Sequence, residues 1–113
     1  MEQKPIEMQS NSKHPTTSIP ITFRFFSTLR NSAGTGEVTL TVQKGETLKN
    51  ALKSVEVQYL KPNNTAVLND TENQLEIGVI CLINDVDVNL AGGLSKKLNN
   101  PCTITLISSL HGG

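Results

Sequence analysis

Ile21, Phe23 and Phe25 alternate with Thr22 and Arg24. That period of two predicts a strand with one buried face. Val38, Leu40 and Val42 repeat the alternation against Glu37, Thr39 and Thr41, predicting a second strand and an antiparallel hairpin. The stretch from Leu29 to Gly36 between them is small and turn-forming, and it is expected to be a long loop. After the turn Gln43-Lys44-Gly45-Glu46 the period changes. Leu48, Ala51, Leu52 and Val55 lie at i, i+3, i+4 and i+7, so a helix with one apolar stripe is predicted, capped by Thr47. Residues 62–76 are polar and predict a long loop. Val79-Ile80-Cys81-Leu82-Ile83 is an unbroken apolar run of strand length, which predicts burial on both faces. Asn84-Asp85 then predicts a tight hairpin into Val86-Asp87-Val88. Ala91-Gly92-Gly93-Leu94 reads as another turn. Cys102–Ser108 reads as a last strand, with Pro101 at its start.

The predicted order is strand, strand, helix, strand, short strand, strand. One helix lying across a mixed sheet gives each apolar face a covering layer. The ubiquitin-like β-grasp, an α+β fold with four to five strands and one main helix, has this order. A ferredoxin-like fold needs a second helix, which the pattern lacks. Residues 1–20 carry only isolated apolar side chains and are expected to be a disordered tail, with a docking arm as the lesser reading. Residues 21–113 form the expected domain.

Composition narrows the function. The chain has 113 residues, enough for one domain, and 36% of them are hydrophobic. Ten basic and ten acidic residues leave no net charge, which argues against direct nucleic-acid binding. No apolar run approaches the ~20 residues of a membrane span, and residues 1–10 lack a signal-peptide core, so a cytoplasmic, soluble protein is expected. Two cysteines do not make a disulfide framework. Cys81, within the apolar run, reads as a buried structural thiol. Cys102 opens the last strand, and sulfur relay is its minor reading. No metal-ligand spacing, catalytic triad or paired carboxylates can be assigned. Gly34-Thr35-Gly36 precedes a strand rather than a helix, so it is not a phosphate-binding loop. The glycosylation-like triplets Asn63-Asn64-Thr65 and Asn69-Asp70-Thr71 read as accidental without a secretory signal.

The last residues are Ser109-Leu110-His111-Gly112-Gly113. Two glycines fall there by chance in about 0.5% of chains. Together with Gly78–Asp87, and with Leu90, Gly92 and Leu94, this ending resembles the ubiquitin-related modifier family. Phe25–Arg30 with Ala33-Gly34 looks more like bacterial sulfur carriers such as the small subunit of molybdopterin synthase. Family members often carry Trp where this chain has Val88.

The resemblance implies a carrier and substrate rather than an enzyme. An activating enzyme of the ubiquitin-activating type would use ATP to adenylate the Gly113 carboxyl. A persulfide would then leave a thiocarboxylate there. The chain itself would need no cofactor. Glycine suits this role because it leaves the reacting carbonyl unhindered and bends freely. Gly112 continues that slim end. Leu110 is a candidate anchor in a partner, and His111 is either a polar spacer or a recognition residue. The expected partners are the adenylating and sulfurtransferase enzyme, transfer-RNA thiolation enzymes and target-protein lysines; the chain is otherwise read as a monomer. Sulfur donation and isopeptide formation both remain open. So do two other readings: a molybdopterin-synthase subunit, and an interaction module that is never activated.

Overall fold

The first strand starts earlier than its alternation suggests. In the computed structural model, which describes residues 17–108, β1 spans Ser18–Phe26. The boundary expected at Ile21 therefore moves back: Ile19 is already in the ladder and buried, like Ile21, Phe23 and Phe25. The expectation for residues 1–16 lies outside the described residues. Pro20 is tolerated within this strand for a geometric reason. Phe25 N–H donates to Gly36 O, and strict alternation from that bond turns the Pro20 nitrogen away from the neighbouring hairpin strand. On its other side the ladder begins only at Ile21, so no hydrogen bond is lost there.

The loop expected between the first two strands contains a short helix, α1, Thr28–Ala33. Leu29 is its one buried residue, and Gly34 ends it in the left-handed conformation, φ 77°, with its N–H donated to Arg30 O. Six residues with one buried side chain, and only Ala33 beside it against the core, are too few to show a helical period, which is why the pattern reads as a loop. β2, Glu37–Gln43, pairs antiparallel with β1 from Ser18↔Gln43 to Arg24↔Glu37, so the predicted hairpin forms.

β3, Glu46–Thr47, leads into α2, Leu48–Val55. Thr47 Oγ1 accepts from Asn50 N–H at 3.2 Å, Glu46 accepts from Thr47 N–H at 3.1 Å, and Leu48 N–H donates to Lys96 O at 2.8 Å, so three donors at the helix start are met. The predicted stripe is the buried face: Leu48, Ala51, Leu52 and Val55 have no exposed surface. The chain continues through a π turn at Glu56–Leu60 and a 3-10 turn at Lys61–Asn63.

Residues 62–76 are not the featureless loop their polarity predicts. They hold β4, Leu68–Asn69, and β5, Gln74–Leu75, as a small antiparallel pair. Glu56 is the cause. Its carboxylate is buried and accepts from Val67 N–H at 2.8 Å and Leu68 N–H at 3.4 Å. Those bonds let Val67 and Leu68 enter the core.

β6, Val79–Ile83, is joined to β7, Val86–Asp87, by Asn84 and Asp85 at φ 47° and 70°, as a type I′ hairpin requires. The Asn84 side chain also accepts from Thr103 N–H at 2.9 Å, tying the turn to the last strand. Val88–Leu90 and Gly93–Ser95 form 3-10 turns. β8, Lys97–Leu98, pairs with β3. β9, Cys102–Ser108, closes the order.

The main sheet has the order β2-β1-β9-β6-β7. β9 lies parallel to β1 and antiparallel to β6, so the sheet is mixed. α2 covers one face, and the architecture is the expected ubiquitin-like β-grasp. Glu56→Ala should cost about 1–3 kcal/mol, because it leaves the buried Val67 N–H unpaired. Glu56→Gln should recover part of that loss, since its amide oxygen still accepts. Urea unfolding of the three chains measures the difference.

Candidate functional site

The residues singled out from sequence, Leu110, His111, Gly112 and Gly113, lie outside the described residues. What the structure shows is the part of the fold from which they are launched. β9 is the middle strand, with two strands on either side. Ile104 and Leu106 point into the core and are fully buried. They hold the strand in register with Phe23 and Phe25 of β1. Ser108 is thus delivered at a fixed corner of the sheet, opposite Val79. Gly113 lies five residue steps beyond Ser108, a covalent reach of at most about 18 Å.

The sheet face turned away from α2 is apolar at that corner. Ile107 is in register with Phe26 on one side and Ile80 on the other. Leu82 follows on β6, opposite Thr105. Phe26 is 36% exposed and Ile80 39%. Ile77, 83% exposed, precedes β6 at the same end. Arg24 bounds the patch: its guanidinium carbon lies 5.3 Å from the Phe26 ring centroid, and its Nε lies 4.0 Å from the Glu37 carboxylate. These side chains form an apolar platform edged by one cation beside the chain's exit.

This corrects the reading of Val79–Ile83 as buried on both faces. Only Cys81 and Ile83 are buried; Ile80 faces solvent. An unbroken apolar run also arises when a strand covers the core on one face and offers a contact surface on the other. Phe26 and Ile107 carry the same signal, as apolar residues at the outward positions of otherwise alternating strands.

The thiols are poorly disposed to react. Burial pushes the Cys81 thiol up to about 12 from an ordinary 9.0, and the charge of Asp87 adds to the effect. Burial also raises Cys102, with Lys96 opposing it. Near neutral pH both are thiols rather than the reactive thiolates. The structure thus gives no support to Cys102 as a sulfur relay. A cleft of about 440 Å³ opens beside β5, lined by Leu75, Val79, Val88 and Leu94 with Glu76 and Asn89. It holds no nucleophile paired with a base. Among the described residues no group of three His, Cys, Asp or Glu side chains could hold a metal.

The Cys81 shift has a testable sign. An un-ionised buried thiol contributes stability that is fully present below about pH 9 and is lost as pH rises toward about 12, because the unfolded chain releases its proton first. The thermal midpoint should fall across that window, and Cys81→Ala should flatten the fall. Calorimetry of both chains as a function of pH checks this.

Residues 22–113 match the family model described as Urm1 (Ubiquitin related modifier). The ubiquitin-related modifier 1 homolog of Dictyostelium discoideum is 50% identical over 36 residues, which span 32% of this chain and 38% of that relative. The solution structure of Urm1 from Trypanosoma brucei superposes with a TM-score of 0.67 at 27% identity, covering 85% of this chain and 97% of the other. The HVO 2177 protein of Haloferax volcanii, at 22% identity and a TM-score of 0.68, shares the fold over 85% of this chain and 88% of its own. With the match extending over most of the sequence, from the first strand through the glycine pair, the chain belongs to the ubiquitin related modifier family.

Proposed function

We propose that this ubiquitin-like modifier is a sulfur carrier whose Gly113 carboxyl is activated by a partner enzyme. One observation carries the reading: the strand leading to Gly113 is the clamped middle strand of the sheet, and it emerges beside the Phe26, Ile80 and Ile107 platform. An enzyme that holds the platform holds the base of the tail at a set distance from its own nucleotide site. Positioning of this kind matters because a misplacement of about 1 Å can cost ~100-fold in rate.

The chemistry follows from the poverty of a carboxylate as an electrophile. A Gly113 oxygen attacks the α-phosphate of ATP, pyrophosphate leaves, and an acyl-adenylate forms. The terminal sulfur of an enzyme persulfide then attacks the carbonyl carbon and AMP departs. A second enzyme thiol then attacks the cysteine sulfur of the resulting acyl disulfide, the S–S bond breaks, the two enzyme cysteines form a disulfide, and the transferred sulfur leaves with Gly113 as the thiocarboxylate. That group donates sulfur to transfer-RNA thiolation. Capture of the activated acyl group by a lysine amine is the same chemistry with nitrogen as nucleophile, and it yields an isopeptide bond. The match to the modifier family over residues 22–113 supports this reading over a molybdopterin-synthase subunit.

With the cognate activating enzyme and ATP, the full chain should release pyrophosphate and gain the oxygen-to-sulfur mass increment. A chain lacking Gly113 should do neither while unfolding at the same temperature. Ile80→Asp should leave the carboxyl intact but raise KM about 10–100-fold through the loss of a docking anchor, with kcat little changed. Unaltered turnover of the chain lacking Gly113 sinks the carrier reading. Unaltered KM for Ile80→Asp sinks the platform alone.

A further inference from the structure

The two edges of the main sheet differ. At one side β7 has only two residues. At the other, β2 has seven, and among the described residues no strand pairs with its outer edge. Long free edges invite pairing, and proteins commonly blunt them with Pro, Lys or a bulge. Residues 37–43 contain neither Pro nor Lys, and their ladder with β1 runs without a break in register.

Which backbone groups are free follows from two bonds. Phe25 N–H donates to Gly36 O, and Lys44 N–H donates to Thr17 O. By alternation Val38, Leu40 and Val42 turn their backbone groups toward β1, while Glu37, Thr39, Thr41 and Gln43 turn theirs outward. At Glu37 the hydroxyl of Thr35 already meets both groups, accepting from N–H at 3.4 Å and donating to the carbonyl at 3.3 Å. The edge is therefore plugged at one end and open at Thr39 and Thr41.

The sequence of this edge is nearly the same in both directions. Glu37-Val38-Thr39-Leu40-Thr41-Val42-Gln43 is symmetric about Leu40 except at its polar ends. We infer that a second copy of this chain pairs here, β2 antiparallel to β2, about a two-fold axis through Leu40. In that register Thr39 faces Thr41 of the other copy, and these outward residues exchange N–H···O bonds. Val38 faces Val42, and Leu40 faces its own counterpart. Glu37 meets the neutral amide side chain of Gln43, so no like charges oppose each other. Val38, Leu40 and Val42 are only part-buried in one copy, and all of them lie on the α2 side of the sheet. Pairing makes them one continuous apolar row. The interface is isologous, so it closes at two copies.

This pairing is independent of the carrier reading and compatible with it. Only β2 lies between the seam and the nearest platform residue, Phe26 on β1, but the platform is on the sheet face opposite to the Val38, Leu40 and Val42 row. The two β9 strands lie about five strand spacings apart, roughly 24 Å, and run in opposite directions. The expectation of a monomer then holds only in dilute solution.

Sedimentation equilibrium of the full chain from about 10 µM to about 1 mM tests the pairing through mass action. The mass should rise from 12.2 kDa toward twice that value. Exchange of the Thr39 and Thr41 amides should slow in step. Thr41→Pro removes only an outward N–H and should hold the chain at the single-copy mass with its circular dichroism unchanged. Leu40→Cys should form a disulfide-linked dimer at least about tenfold faster than Val38→Cys alone, since only the former meets itself across the axis. An equimolar mixture of Val38→Cys and Val42→Cys chains should cross-link as well. A mass of 12.2 kDa at every concentration overturns the inference. So does a dimer that survives Thr41→Pro, or Leu40→Cys cross-linking no faster than Val38→Cys. Slow exchange at Thr39 and Thr41 in a single-copy sample would mean that another segment covers the edge, and it too overturns the pairing.

Discussion

β9 hydrogen-bonds to β1 on one side and to β6 on the other, so the last strand of the chain is the middle strand of the sheet. Ile21 and Cys102, about eighty residues apart in sequence, are neighbours in the parallel ladder. Closing so long a loop costs entropy before any contact rewards it. Burial of Ile21, Phe23, Phe25, Ile104 and Leu106 offsets that cost, at about 1.5–3 kcal/mol for each large side chain removed from water. The arrangement clamps the end of β9 on both flanks. A reactive group carried beyond such a strand has a rigid base, whereas the same residues beyond an edge strand would be held on one side only.

The same ladder gives the sheet two unlike faces. The inner face is closed by α2 and by the turns that follow it. The outer face is polar across β2, with Glu37, Thr39 and Thr41, and becomes apolar where Phe26, Ile107 and Ile80 meet. Alternation alone separates core from contact surface here, because neighbouring residues on one strand serve opposite sides. The outer face thus exposes apolar side chains beside the end of β9, while burial holds the chain's two thiols in their unreactive form.

Glu56 shows how a polar residue can organise a segment whose composition looks structureless. A buried carboxylate is costly unless its oxygens are met. Here backbone donors at Val67 and Leu68 meet one of them, and the bonds draw two apolar side chains into the core. The short pair β4 and β5 follows from that anchoring rather than from strand propensity.

Much of the fold was legible along the chain. The strands at β1, β2, β6 and β9, the stripe of α2 and the Asn84-Asp85 hairpin are all recorded in local periodicity or turn chemistry, because each depends on residues within a few positions of one another. The Gly112-Gly113 ending and its family resemblance were also read from sequence alone. Other features were decided only by tertiary contacts. α1 exists because Leu29 finds the core, and Val67 becomes buried because Glu56 reaches it from 11 residues away. Ile80 is exposed, despite its apolar neighbours, because among the described residues no layer covers the outer face there. Periodicity tells a strand which side chains share a face. What lies against each face depends on segments distant in sequence, and that is settled only when the chain has closed on itself.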